Sequence, residues 1–102
     1  MSPFRGAPVS ASLRLRLFVA GDAPNSAAAV RHLQATLDAH PSVHAELEVI
    51  DVLRQPEIGL QEQVLVTPTM IKLEPLPVRR IIGTLKDTSA LLAVLGLEER
   101  GP

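Results

Sequence analysis

Between Leu13 and Ala20 the side chains alternate, with Leu13, Leu15, Leu17 and Val19 on one side and Arg14, Arg16, Phe18 and Ala20 on the other. That period of two predicts a β-strand whose arginines face water or a partner. Gly21-Asp22-Ala23-Pro24 breaks the strand, and Asn25 or Ser26 is placed to cap a helix running from Ser26 to His40. Val30, Leu33 and Leu37 share one face of that helix, and Pro41 stops it. A second strand follows from Ala45 to Val52, where Leu47 and Val49 alternate with Glu46 and Glu48 before an apolar end. The result is a βαβ unit, expected to cross over with the right hand.

Pro56 suits the first turn of a short second helix with Ile58, Val64 and Leu65 as its buried side chains, while Gly59 weakens it. Thr69 to Leu73 reads as a third strand, Glu74 to Pro77 as a turn, and Val78 to Ile82 as a fourth strand antiparallel to the third. Pro75 and Pro77 have no backbone donor, which favours a turn there. Asp87, Thr88 or Ser89 can cap a last helix through Ala90 to Glu99.

The order β-α-β-α-β-β-α predicts an α/β, thioredoxin-like single domain with a mixed four-stranded sheet flanked by helices. The expected domain is 13–99, preceded by a flexible leader of residues 1–12 and followed by a tail of residues 100–102. Thr67-Pro68-Thr69 resembles the proline turn of thioredoxin-like proteins, where it faces a reactive cysteine pair. Here there is no cysteine.

Composition narrows the function. The 102 residues suit one domain, and with 2% aromatic content, Phe4 and Phe18, the core must be aliphatic. Ten basic against eleven acidic residues give a net charge of −1, against the positive field of a nucleic-acid binder, and no Tyr or Trp offers a stacking platform. Without cysteine, disulfides, thiolate nucleophiles and Cys-ligated zinc are excluded, which fits a cytoplasmic protein. Arg14 and Arg16 interrupt the hydrophobic run near the N-terminus, so it does not read as a signal peptide, and no stretch approaches the roughly 20 apolar residues that span a bilayer. No membrane or nucleic-acid partner is expected.

Candidate chemistry is sparse. Ser26 with His32, His40 or His44 as base is the one nucleophile on offer, but a helix-capping role suits Ser26 better. The histidines lack metal-ligand spacing. Asp51, ending the second strand, suits a bond to the following turn. Arg79 and Arg80 point to opposite faces of a strand, so one at most serves a given surface that binds phosphate or carboxylate. No catalytic residue, cofactor or metal is expected, although a small enzyme on the same scaffold stays open as an alternative, since one fold serves many functions.

The residues Leu17-Phe-Val-Ala-Gly21, Pro24-Asn-Ser26, Val49-Ile-Asp-Val-Leu53, Thr67-Pro-Thr69 and Leu76-Pro-Val-Arg-Arg-Ile-Ile-Gly83 occur in that order. On these motifs the chain resembles the circadian clock KaiB family from Leu13 to about Leu92. The resemblance implies a non-enzymatic regulator that binds the ring-shaped ATPase KaiC, with a histidine kinase or other clock component as further partner. It also implies a change of fold between an oligomeric resting form, dimer or tetramer, and a monomeric thioredoxin-like form that binds. Lys72 and Arg80 match basic positions the family uses in partner contacts, Arg79 adjoins them, and Glu46 and Glu48 lie on a strand whose edge meets other proteins.

Several positions depart from the clock-type pattern: Glu48 and Gln63 stand where lysine is usual, Ala28 where arginine is frequent, and the common acidic tail does not appear. Such changes alter electrostatic complementarity and hence partner choice. Val94 stands where the family commonly has Gly and Gly96 where it has Asp, which implies that a resting form needing special backbone angles at 94 is disfavoured. Pro68 is expected to be cis, Pro75 and Pro77 to shape the turn, and these prolines with Gly83, Val94 and Gly96 are the expected switch positions.

Overall fold

The computed structural model describes residues 12–97 and has seven elements. They are β1 (Ser12–Val19), α1 (Pro24–Asp38), β2 (His44–Asp51), α2 (Pro56–Gln61), β3 (Thr69–Glu74), β4 (Arg79–Ile82) and α3 (Thr88–Leu95). The four strands form one sheet in the order β2-β1-β3-β4, parallel between β1 and β2 and antiparallel elsewhere. This is the mixed sheet expected from the sequence. All but Ser12 of the expected leader, and all of the expected tail, lie outside the described residues.

Alternation along β1 divides the core. Leu13, Leu15, Leu17 and Val19 are buried with Ala29 and Leu33 of α1, Met70 of β3, and Leu85, Leu91 and Leu95. On the opposite face Phe18, Ile50 and Ile71 form a smaller cluster, with Val52, Ile58, Val64 and Leu73 packed against it. Each fully buried Leu or Ile contributes about 1.5–3 kcal/mol relative to an exposed one, so the first cluster carries most of the apolar stabilisation.

Three local expectations are corrected. Neither Asn25 nor Ser26 caps α1: the N-cap is Ala23, without a side-chain bond, and Pro24 occupies the first turn. The pyrrolidine ring presets the helical φ and lacks the N–H that a cap would satisfy, so Pro24 starts the helix two residues before Ser26. Leu65 is 92% exposed. Gln63 takes φ 57° and the Val64 N–H donates to the Gly59 carbonyl, which turns Val64 inward and leaves the next side chain outside. Asp87, one of the expected caps, does cap the last helix, which starts at Thr88, and its Oδ1 accepts from the Ala90 N–H at 3.1 Å. The helix ends at Leu95 rather than Glu99, because Gly96 takes a left-handed φ of 77° that closes it.

Gly59 does more than weaken α2. It is buried, and a Cβ there would lie 3.1 Å from Cγ1 of Val52, so the missing side chain lets α2 approach the end of β2. The Thr67–Pro68, Glu74–Pro75 and Leu76–Pro77 bonds are all cis. The Gly83 N–H donates to the Pro68 carbonyl at 3.0 Å, joining the end of β4 to the start of β3.

Candidate functional site

The turn where a thioredoxin-like redox protein would hold its thiols runs here from Gly21 to Ser26. Two buried or half-buried side chains hold it. Ser26 Oγ accepts from the Ala20 N–H at 3.0 Å, and Asp51 Oδ1 accepts from the N–H groups of Gly21 at 3.0 Å and Leu53 at 2.9 Å. Asp51 therefore ties the β1–α1 turn to the β2–α2 turn, a wider role than bonding its own turn alone.

The histidines are occupied elsewhere. His32 donates from Nδ1 to the Thr84 carbonyl at 2.6 Å, and His40 from Nδ1 to the Thr36 carbonyl at 3.0 Å. A carbonyl only accepts, so both Nδ1 atoms carry the proton. His44 lies on β2, 4.0 Å from a Glu46 carboxylate oxygen. None of the three shares a hydrogen bond with Ser26 among the described residues, so the structure builds no nucleophile and base pair in this turn.

The polar side of the sheet is organised by register. Arg14 and Arg16 stand opposite Glu46 and Glu48 across the parallel ladder. Arg14 pairs with Glu46 at 3.7 Å and Glu74 at 3.4 Å, and Arg16 with Glu48 at 3.1 Å and Glu62 at 3.3 Å. Opposite charges facing each other across strands contribute about 0.2–1 kcal/mol a pair. Glu46 and Glu48 are thus exposed beside the outer edge of β2 while their carboxylates are held by β1.

The basic residues divide by face. Arg80 shares a face with Ile71 and Arg79 with Lys72, following the β3–β4 register. Arg80 reaches the end of α2, where its guanidinium donates to the Gln63 carbonyl at 3.2 Å and to the Glu62 carbonyl. A cation on the last carbonyls of a helix is favourable, because those acceptors lack intrahelical donors and carry the negative end of the helix dipole. Lys72 is only 5% exposed, and its ammonium donates to the Pro75 carbonyl at 2.7 Å. Of the three basic residues singled out by the sequence, only Arg79 is exposed without a hydrogen bond or ion pair among the described residues.

The structure adds apolar surface that alternation did not reveal. Leu53, Leu60 and Leu76 are each more than two-thirds exposed, and Leu76 stands between the two prolines of the β3–β4 turn. Gly83 and Gly96 both have positive φ, and Val94 lies half-buried on α3 against the larger core cluster.

A KaiB domain model matches residues 16–97, nearly all of the described chain. The chain belongs to the KaiB family. The circadian clock oscillator protein KaiB of Synechococcus elongatus is 45% identical over 83 residues, which cover 81% of each chain. Among solved structures, the N-terminal domain of Synechococcus elongatus SasA superposes with a TM-score of 0.71 at 29% identity, covering 100% of this chain and 97% of that one. Mitochondrial thioredoxin 3 of Saccharomyces cerevisiae gives 0.66 at 22% identity, covering 84% of this chain and 78% of its own. The last shows a shared fold alone, and with the SasA domain it establishes the thioredoxin-like class for this KaiB-family chain.

Proposed function

We propose that this KaiB-family protein is a clock-type regulator without catalysis of its own, which binds a KaiC-like ring ATPase and modulates its phosphorylation state or signalling output. The observation that carries the reading is the Gly21–Ser26 turn: it keeps the thioredoxin-like position, yet its only hydroxyl is buried and bonded to the Ala20 N–H. A scaffold whose chemical position is filled by structure suits binding.

Supporting features are the outer edge of β2, flanked by exposed Glu46 and Glu48, and the exposed cation Arg79. A sheet edge offers unpaired backbone groups to an incoming strand, and charges beside it select the partner. The relatives named as clock oscillator KaiB proteins and the SasA domain favour a KaiC-like ATPase, with a histidine kinase competing for the same platform. The protein acts in the cytoplasm in this reading, and among the described residues no helix is long and apolar enough to cross a membrane.

The described fold is the binding form, and an oligomeric resting form is its alternative. In this reading the thioredoxin-like form is the main species, a reading supported by Val94 within α3 and Gly96 in the left-handed cap, which fit the helical ending of this form. A pull-down with a KaiC-like ATPase tests the proposal, using Arg79→Glu as the weakened variant because Arg79 makes no bond within the described fold. Absence of binding by the unaltered protein overturns it.

A further inference from the structure

We propose that the outer edge of β4 binds an extended, acidic segment of another protein by strand addition, with Arg79 and the hollow beside Ile81 reading its side chains. The first observation is the phase of the β3–β4 ladder. The Gly83 N–H donates to the Pro68 carbonyl at 3.0 Å, one step beyond the cross-strand pair of Thr69 and Ile82. In an antiparallel ladder, hydrogen-bonded pairs alternate with pairs whose N–H and C=O groups point away from the partner strand. Counting back from Gly83, Ile81 and Arg79 bond to β3, while Ile82 and Arg80 turn their backbone groups outward. β4 is the last strand of the sheet, and no further backbone bond among the described residues uses those four groups. They form a row of donors and acceptors that an incoming strand can pair.

The second observation is the side chains along that edge. Edge strands are commonly shielded by charged side chains. Arg80 is drawn off across the α2 face to the Glu62 and Gln63 carbonyls, and Ile82 is 66% exposed. That leaves Arg79, exposed and without a hydrogen bond or ion pair among the described residues. β4 itself has no carboxylate, whereas β2, the opposite edge, carries Glu46, Glu48 and Asp51. The sheet thus has one acidic edge and one basic edge, and the basic one selects an acidic partner.

The third observation sets the pattern of that partner. Arg79 and Ile81 alternate onto the face of the sheet where α3 packs. Ile81 opens onto a hollow of about 380 Å³ between β4 and α3, whose other apolar walls are Ile82, Leu85 and Ala90. Toward an added strand, Ile81 and Arg79 occupy the positions without hydrogen bonds, where facing Cα atoms lie only about 4.5 Å apart and side chains meet closely. The segment that fits has an apolar residue facing Ile81 and, two positions along, a Glu or Asp facing Arg79.

A second copy of this chain is a poor occupant. Its β4 repeats the cations, and the Glu46 and Glu48 carboxylates of its β2 are already paired with Arg14 and Arg16. The inference holds whichever protein supplies the segment. Its test contains no ATPase, so its failure is distinct from failure of the ATPase reading.

The test is an NMR titration of the full chain at low salt with the acetylated, amidated peptide Thr-Thr-Leu-Thr-Glu-Thr-Thr. Saturable shifts centred on the Arg80 and Ile82 amides are expected. Arg79→Gln is expected to weaken binding about tenfold. N-methylation of the threonine between the peptide's Leu and Glu, which removes the donor facing Arg80 and leaves every charge in place, is expected to do the same. No saturable shift up to about 1 mM peptide, or shifts centred on β2 residues 44–51 instead, overturns the site. A loss of less than about twofold on N-methylation overturns strand addition, and equal affinity of Arg79→Gln overturns the reading of charge. Shifts at Arg80 and Ile82 on concentrating the protein alone mark a second copy as the occupant and overturn the acidic segment.

Discussion

The guanidinium of Arg80 caps the helix α2 by donating to the carbonyl of Gln63 at 3.2 Å from the other side of the sequence gap between α2 and β4. A second bond goes to the carbonyl of Glu62. Arg80 is therefore part of the scaffold, and its replacement acts on α2 before it acts on any partner. Arg80→Ala is expected to lower stability by about 1 kcal/mol in urea unfolding, the scale of a charge-assisted bond at a helix end. Arg79→Ala is expected to change it by less than about 0.5 kcal/mol, as for exposed sites generally. Equal losses for the two would contradict the division of roles.

Asp51 holds two turns with one oxygen. Replacing it by Ala orphans the N–H groups of Gly21 and Leu53, with an expected loss of about 1–3 kcal/mol. Asp51→Asn keeps an acceptor in place and is expected to lose less. Hydrogen exchange at Gly21 and Leu53 is the direct readout, with faster exchange in the Ala variant than in the Asn variant.

The close approach of Gly59 to Val52 predicts a coupling of definite sign. Alanine at 59 gains helix propensity of up to about 1 kcal/mol but presses on Cγ1 of Val52. Gly59→Ala is therefore expected to be more favourable in a Val52→Ala background than in the natural one. Additivity in the double-mutant cycle would show that the contact relaxes freely.

Exposure separates two leucines that look alike in the sequence. Leu33→Ala removes a fully buried side chain from the main cluster and is expected to cost about 2–5 kcal/mol. Leu65→Ala, on a side chain 92% exposed, is expected to fall within about 0.5 kcal/mol of the unaltered protein. Thermal and urea unfolding of the two variants check both.

Much of the fold was legible because local signals agree. The Leu13-Leu15-Leu17 alternation, Pro41 after α1 and the Pro75–Pro77 turn each specify an element through nearest-neighbour chemistry. Ser26 misled because two helix-start signals compete within three residues and Pro24 wins. Leu65 misled because the positive φ at Gln63 resets which side chains turn inward. The separation of Arg79 from Arg80 followed from strand alternation, but what each meets did not. The Arg80 acceptors lie 17 and 18 residues away, and Lys72 is buried by its place on an inner strand. Such contacts arise only when the sheet and its helices close.

Size-exclusion chromatography with light scattering, on the protein alone and mixed with a KaiC-like ring ATPase, tests the central claim most directly. The account predicts a monomer alone and co-elution with the ring in the mixture, with co-elution reduced by Arg79→Glu. Separate elution of the unaltered protein and the ring in every nucleotide state of the ATPase would contradict it.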